Sequence, residues 1–174
     1  GDYAMFTVRR PGEQCICGGH SDMCPTGNYT ERGIKGRDGY QTEYVVDTEQ
    51  YIIRIPQEIS HIGVLAEPMS VSEKAINEAL RIQCARIPYA KQESWLSGRQ
   101  VLVAGLGPIG LLAAFILRLR GAEVLGVDIV DEDSVRPRIL ASIGGKYVDG
   151  RKVPTTSLDE TFGQIDLIFE ATGV

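Results

Sequence analysis

The sequence predicts an α/β protein whose later part is a doubly wound parallel sheet, incomplete, and whose earlier part is mainly β. Arg99 to Asp128 reads as strand, glycine turn, helix, strand. From Arg99 onward, β-favouring apolar runs alternate with helix-length segments, the succession that builds parallel βαβ units. The last run ends in Glu170-Ala171-Thr172-Gly173-Val174, which leaves the strand order at 3-2-1-4 where the full sheet would read 3-2-1-4-5-6.

Taken in order, residues 1 to 10 read as a strand, with Tyr3, Met5, Thr7 and Arg9 alternating against Ala4, Phe6 and Val8. The pair Arg9 and Arg10 is read as solvated or matched by loop carboxylates. Pro11 to Arg37 is rich in Gly, Pro, Asp and Asn, too long for a structureless connection, and is read as a lobe. Gly39 to Val46 and Tyr51 to Ile55 are two short β runs separated by a polar turn and stopped by Pro56. A helix is expected from Pro68 or Met69 to Arg81. Val71, Ala75, Ala79 and Leu80 fall near helical spacing, and Glu73 with Asn77 and Lys74 with Glu78 mark the wet face.

Residues 82 to 98 read as a connection between portions 1–81 and 99–174, with Trp95 at the boundary. Beyond it come a strand at 100–105, a helix at 108–120, a strand at 122–128, a helix near 135–143 closed by Ile143-Gly144-Gly145, a strand near 146–149, a helix near 157–162 and a strand at 165–171. In that last strand Leu167-Ile168-Phe169 forms an apolar edge, which invites association. The chain is therefore expected to be an interior piece of a larger protein and to form a homodimer or homotetramer.

Composition narrows the function classes. An apolar content of 43% and a charged content of 24% are ordinary for a globular protein and argue against disorder. The net charge of −5, without a basic run, gives no footprint for nucleic acid. Apolar stretches are broken well short of the roughly 18 residues of a membrane span, and GDYAMFTVRR has no signal-peptide pattern, so a cytoplasmic location is expected. Cys15, Cys17 and Cys24 are crowded while Cys84 stands alone. That is a poor disulfide framework for such a compartment; the cluster suggests a metal or the relic of a metal site, and Cys84 an ordinary thiol.

The glycine turn carries the chemistry. Gly105-Leu106-Gly107-Pro108-Ile109-Gly110 follows a strand and opens a helix, and Asp128 lies 18 residues past Gly110, close to the roughly 20 of a dinucleotide fingerprint. Gly105 permits the tight turn, Gly107 the approach of a pyrophosphate, and Gly110 the close packing of helix on sheet. The helix N-terminus then faces the phosphates, and Pro108 suits its first turn. Asp128 would accept hydrogen bonds from the adenosine ribose hydroxyls. With Asp131, Glu132 and Asp133 following and no arginine before Arg136, NAD is favoured over NADP. Thr172 and Gly173 end the fourth strand at the carboxyl edge, where ligands sit in open α/β sheets. The bland alternative is a glycine turn that packs a helix and binds nothing.

The order of parts, a cysteine-bearing lobe, DGYQTEYVV, YIIRIP, AEPMSVSEK, GLGPIG, an acid after the next strand and DLIFEATG, resembles the zinc-dependent medium-chain dehydrogenase/reductase superfamily. TVRRP, ERGI, IGVLAEPMSVSEKAI and FEATG are most similar to glucose 1-dehydrogenases of the archaeal type. The resemblance implies a Rossmann-type doubly wound parallel sheet preceded by the end of a mainly β catalytic (GroES-like) domain, with residues 11–37 as a degenerate structural-zinc lobe. It implies an enzyme that moves a hydride from C1 of an aldose such as glucose to NAD or NADP and gives a lactone, with zinc polarising the substrate hydroxyl.

It also implies site residues. Glu67 falls where the family places an acid or amide beside the catalytic zinc, and Glu31 where it places a carboxylate on sugar hydroxyls; it places Thr172 and Gly173 against the nicotinamide ribose. Read without the resemblance, Glu67 is a helix N-terminal carboxylate and Glu31 a solvated loop acid. The chain departs from the family in two places. His20 and His61 are the only histidines and neither lies in the family's catalytic zinc motif, so that site is incomplete here. The lobe has Cys15, Cys17 and Cys24 in place of the usual four-cysteine spacing, so zinc would need His20 or Asp22 as a fourth ligand; the other reading is a lobe of reduced thiols. Alternative activities are a polyol, alcohol or threonine dehydrogenase, or a nucleotide-binding fragment without turnover.

Overall fold

The computed structural model describes residues 1–12, 21–153, 160 and 162–173. They form two compact units, Gly1–Val64 and Leu65–Val174.

In the first unit, the strand expected over residues 1–10 is two strands. β1 (Tyr3–Phe6) pairs antiparallel with β5 (Ile52–Ile55), Tyr3 opposite Ile55. β2 (Arg9–Pro11) pairs with β3 (Tyr29–Arg32), which also borders the short β4 (Gly36–Arg37). The break at Thr7–Val8 has a physical cause. Arg10 is buried, and its guanidinium donates to the Thr7 carbonyl at 2.7 Å, the Tyr40 hydroxyl at 2.9 Å and the Asp47 carboxylate at 2.6 Å while lying 3.6 Å over the Tyr51 ring.

That same cluster replaces the strand expected at Gly39 to Val46. The segment makes no ladder; it is tied by Tyr40 and Asp47 to Arg10, and by Arg32, which donates to Asp47 at 3.0 Å and to the Val46 carbonyl at 3.1 Å. Its Tyr44 and Val46 side chains stand out in solvent. The arginine pair does find carboxylates: Arg9 meets Glu31 and Arg10 meets Asp47. Cys15, Cys17 and His20 lie outside the described residues, as does most of the helix expected near 157–162.

The second unit opens with α1 (Ala66–Arg86), longer at both ends than expected. It accepts Pro68 in its first turn, where a missing N–H is harmless, and runs on until Ile87, which Pro88 forces into an extended conformation. Its buried stripe is Ser72, Ile76 and Leu80, one position off the expected one, so Val71 is exposed. Buried Ser72 is satisfied because its hydroxyl donates to the Ile109 carbonyl at 2.9 Å. Trp95, expected at a boundary, packs with Leu96, Ile76 and Leu80 in this unit's core. Division by packing thus puts α1 and residues 82–98 with the later strands.

The remaining elements are β6 (Gln100–Ala104), α2 (Pro108–Leu119), β7 (Glu123–Asp128), α3 (Val135–Ser142), β8 (Lys146–Asp149) and β9 (Leu167–Glu170). The sheet is parallel in the order β8-β7-β6-β9, the expected 3-2-1-4. α3 ends with Gly144 at φ 78° and bonds from Gly144 and Gly145 N–H to the Ala141 and Leu140 carbonyls, the glycine cap that its sequence announced. Val101, Val103, Ala113, Leu117, Val124 and Leu140 make the core beneath α2 and α3. β9 is an edge among the described strands, with Ile168 exposed. Among the described residues no helix is long and apolar enough to cross a membrane.

Candidate functional site

At the carboxyl end of β6 the chain makes the turn its glycines allow. Gly105 takes φ 87°, and a Cβ there would lie 2.6 Å from the Ala171 carbonyl at the end of β9; only glycine lets these two strand ends meet. A Cβ on Gly110 would lie 1.9 Å from the Gly105 carbonyl, so α2 sits directly on the turn. Gly107 is different. It caps α2 at φ −65°, ψ −177°, and nothing lies within 4 Å of where its Cβ would be. Open space therefore stands over the residue that precedes the unpaired N–H groups of the helix, whose partial positive charge favours an anion. Leu106 is buried below, and Pro108 and Ile109 form the first turn.

Asp128 ends β7 beside this turn. Its carboxylate accepts the Leu106 N–H at 2.9 Å, the Ile129 N–H at 2.7 Å and the Arg136 guanidinium at 3.2 Å. Burial pushes the carboxyl's pKa up, but the donors from Leu106, Ile129 and Arg136 outweigh it and hold the group below its ordinary range. Asp128 thus braces the glycine turn as well as facing its mouth. On the other side of the turn, Glu170 accepts from the Thr172 N–H at 2.7 Å and from its hydroxyl, and Thr172 and Gly173 follow β9 at the same carboxyl edge.

Sequence reasoning missed the rim beyond Asp128. Arg151 donates to Asp149 and to Asp131, each at 2.9 Å, and Tyr147 donates its hydroxyl to the Asp128 and Val130 carbonyls. The contacts to Asp128, Val130 and Asp131 tie β8 and the residue pair after it to the end of β7 and the segment that follows, and no local pattern announces them.

Of the substrate and metal residues that the resemblance implies, Glu31, Glu67 and Cys24 are among the described ones. Glu31 lies on β3, where register pairs it with Arg9 and the guanidinium reaches its carboxylate at 2.7 Å. Glu67 is exposed in the first turn of α1. Cys24 has its sulfur 3.3 Å from the Thr26 hydroxyl, and that hydrogen bond lowers its pKa. Among the described residues no three His, Cys, Asp or Glu side chains are grouped so as to hold a metal ion.

Residues 60–174 match the family described as glucose dehydrogenase C-terminus. Over 99% of its length the chain is 42% identical to a glucose 1-dehydrogenase of Methanocella arvoryzae and 39% identical to glucose 1-dehydrogenase 1 of Vulcanisaeta moutnovskia, covering 47% and 46% of those proteins. The glucose dehydrogenase of Haloferax mediterranei, solved in complex with NADP, zinc and gluconolactone, superposes with a TM-score of 0.79 at 31% identity. That match covers all of this chain and 48% of the other. The chain spans about half the length of the curated relatives it matches.

Proposed function

The chain belongs to the glucose dehydrogenase family, and on that premise we propose that it supplies the nicotinamide dinucleotide site of an oxidoreductase acting on an aldose such as glucose. The observation that carries the reading is the glycine turn, with open space over Gly107 at the start of α2 and Asp128 beside it. The pyrophosphate would lie on the N-terminal amides of α2. Asp128 would face the adenosine ribose, and Thr172 and Gly173 the nicotinamide ribose. A bound nicotinamide would supply the acceptor for the hydride leaving C1 of the sugar, and with loss of the C1 hydroxyl proton the C1–O bond would become the carbonyl of a lactone.

Two further assignments rest on the family resemblance. Glu31 would accept hydrogen bonds from sugar hydroxyls with Arg9 fixing its carboxylate, and Glu67 would stand near a catalytic zinc. Zinc is proposed on the strength of the Haloferax relative, which was solved with it, with Cys15, Cys17 and Cys24 as lobe ligands. A homodimer or homotetramer in the cytoplasm is proposed on the family resemblance.

Cofactor reduction by the longer polypeptide, supplied in turn with aldoses, polyols and simple alcohols, tests the reading. Aldoses should be oxidised at least about tenfold better by kcat/KM, a difference of about 1.4 kcal/mol in transition-state binding. A preference for polyols or simple alcohols would replace glucose dehydrogenase with the alternative branch. Because the chain spans about half of its relatives, a second reading is that these 174 residues alone bind nucleotide without turnover.

A further inference from the structure

The segment between α1 and β6 carries polar groups that the dinucleotide reading leaves unused. The Lys91 carbonyl accepts the Ser94 N–H at 3.1 Å and the Trp95 N–H at 2.8 Å, and the Ser94 carbonyl accepts the Ser97 N–H at 3.1 Å. This winding puts Lys91, Ser94 and Trp95 on one side. There they border a cavity of about 220 Å³, which Tyr89, Ser97 and Arg99 also line and which has no carboxylate among its lining residues. Trp95 is 7% exposed, yet its Nε1–H has no hydrogen-bond partner among the described residues, and an indole nitrogen can only donate. Among the described residues Lys91 has no ion pair, and the Ser94 and Ser97 hydroxyls make no hydrogen bond. Arg99 lies 4.6 Å over the Trp95 ring and donates Nε to the Trp95 carbonyl at 2.6 Å and Nη1 to Asp166 at 2.8 Å, which leaves Nη2 unbonded among the described residues. The cavity thus gathers two cations and a buried orphan donor in a chain of net charge −5. A buried donor without a partner is costly, so an acceptor belongs there.

We propose that this cavity binds a phosphate group, as the free ion or as the ester of a small sugar. A phosphate ester presents three strong acceptor oxygens where a carboxylate presents two, enough to meet the lysine, the open arm of the arginine and the indole together. Lysine serves as a point charge and the serine hydroxyls complete the shell. Arg99 directly precedes β6, whose far end carries the glycine turn, so the cavity stands at the opposite edge of the sheet from the dinucleotide site. It would hold phosphate whether or not the glycine turn holds a nucleotide.

Trp95 is the only tryptophan of the chain, so its emission reports this cavity directly. The test is fluorescence titration of the folded chain with inorganic phosphate and with a hexose phosphate, at an ionic strength held constant with chloride. Gly107→Asp is titrated in parallel, because it closes the start of α2 to anions. A saturable change in emission, equal in the two proteins, is the expected result. Lys91→Ala should weaken it by about tenfold, the worth of one charge-assisted contact, and Ser94→Ala by about threefold; both side chains are exposed, so the unfolding midpoint should not move. Hexose phosphate binding about tenfold tighter than the free ion would identify the ester as the ligand, and equal affinities the ion itself. A signal lost in Gly107→Asp would place the anion on α2 and overturn the cavity site. No saturable change, or one that Lys91→Ala leaves intact, overturns it as well and leaves the indole N–H to water.

Discussion

Gly107 separates the two jobs a glycine turn can do. Gly105 and Gly110 are required by packing alone, since a Cβ at either would strike backbone, and they would be glycine in a turn that bound nothing. Gly107 has no such constraint: its φ is ordinary and its surroundings are empty. Gly107→Asp places a favoured N-cap residue at the start of α2 and puts a carboxylate where the pyrophosphate would lie. Thermal unfolding should therefore be unchanged or slightly raised, within about 1 kcal/mol, while cofactor affinity falls by at least about a hundredfold, below what calorimetry resolves. A variant that unfolds early would show that Gly107 is structural. Gly110→Ala should do the reverse and destabilise by about 3 kcal/mol, seen as a lower unfolding midpoint. The glycines and Asp128 were legible in the sequence because each answers a local backbone rule at fixed spacing. The contact of Arg136 with Asp128 was not legible there, since only the path of α3 returns it to β7.

Elements were legible where one period ruled them. β6, α2, β7, α3 and β8 fall within a residue or two of their expected places, because each has a continuous apolar run or stripe bounded by glycine or a polar turn. The first unit was harder to read, as its shape depends on side chains far apart in sequence. Arg10, Arg32, Tyr40 and Asp47 converge, and that convergence breaks one expected strand and replaces another. The Arg10 guanidinium beside it holds the Asp47 carboxyl well below the usual range; burial opposes this, and the Thr48 N–H and Tyr40 hydroxyl reinforce it. A carboxyl depressed on folding stabilises fully above its unfolded pKa, near 3.8, and loses that contribution as pH falls through its folded value. Amide exchange in β2 and β3 should stay slow down to about pH 4 and accelerate below it. Asp47→Asn should speed that exchange already at neutral pH and flatten its dependence on acid. Equal exchange in both proteins would show that the cluster does not hold the strands.

At the scale of the whole molecule, the chain is half of something larger in its relatives, and its two units contribute unequal parts of the proposed chemistry. The second holds a glycine turn, a braced acid and a switch-point edge between β6 and β9, the crevice that open parallel sheets offer to ligands. The first holds Glu31 in an ion pair with Arg9 and part of the cysteine lobe. Nucleotide binding is thus the property most directly written into these residues, whereas sugar oxidation draws on the family as a whole. The measurement that goes straight to this is calorimetric titration of the folded 174-residue chain with NAD and with NADP, on a sample whose zinc content is determined. Saturable binding at a single site, lost in Gly107→Asp, is the expected result. A folded chain that takes up neither cofactor would contradict it, and the glycine turn would then be packing alone.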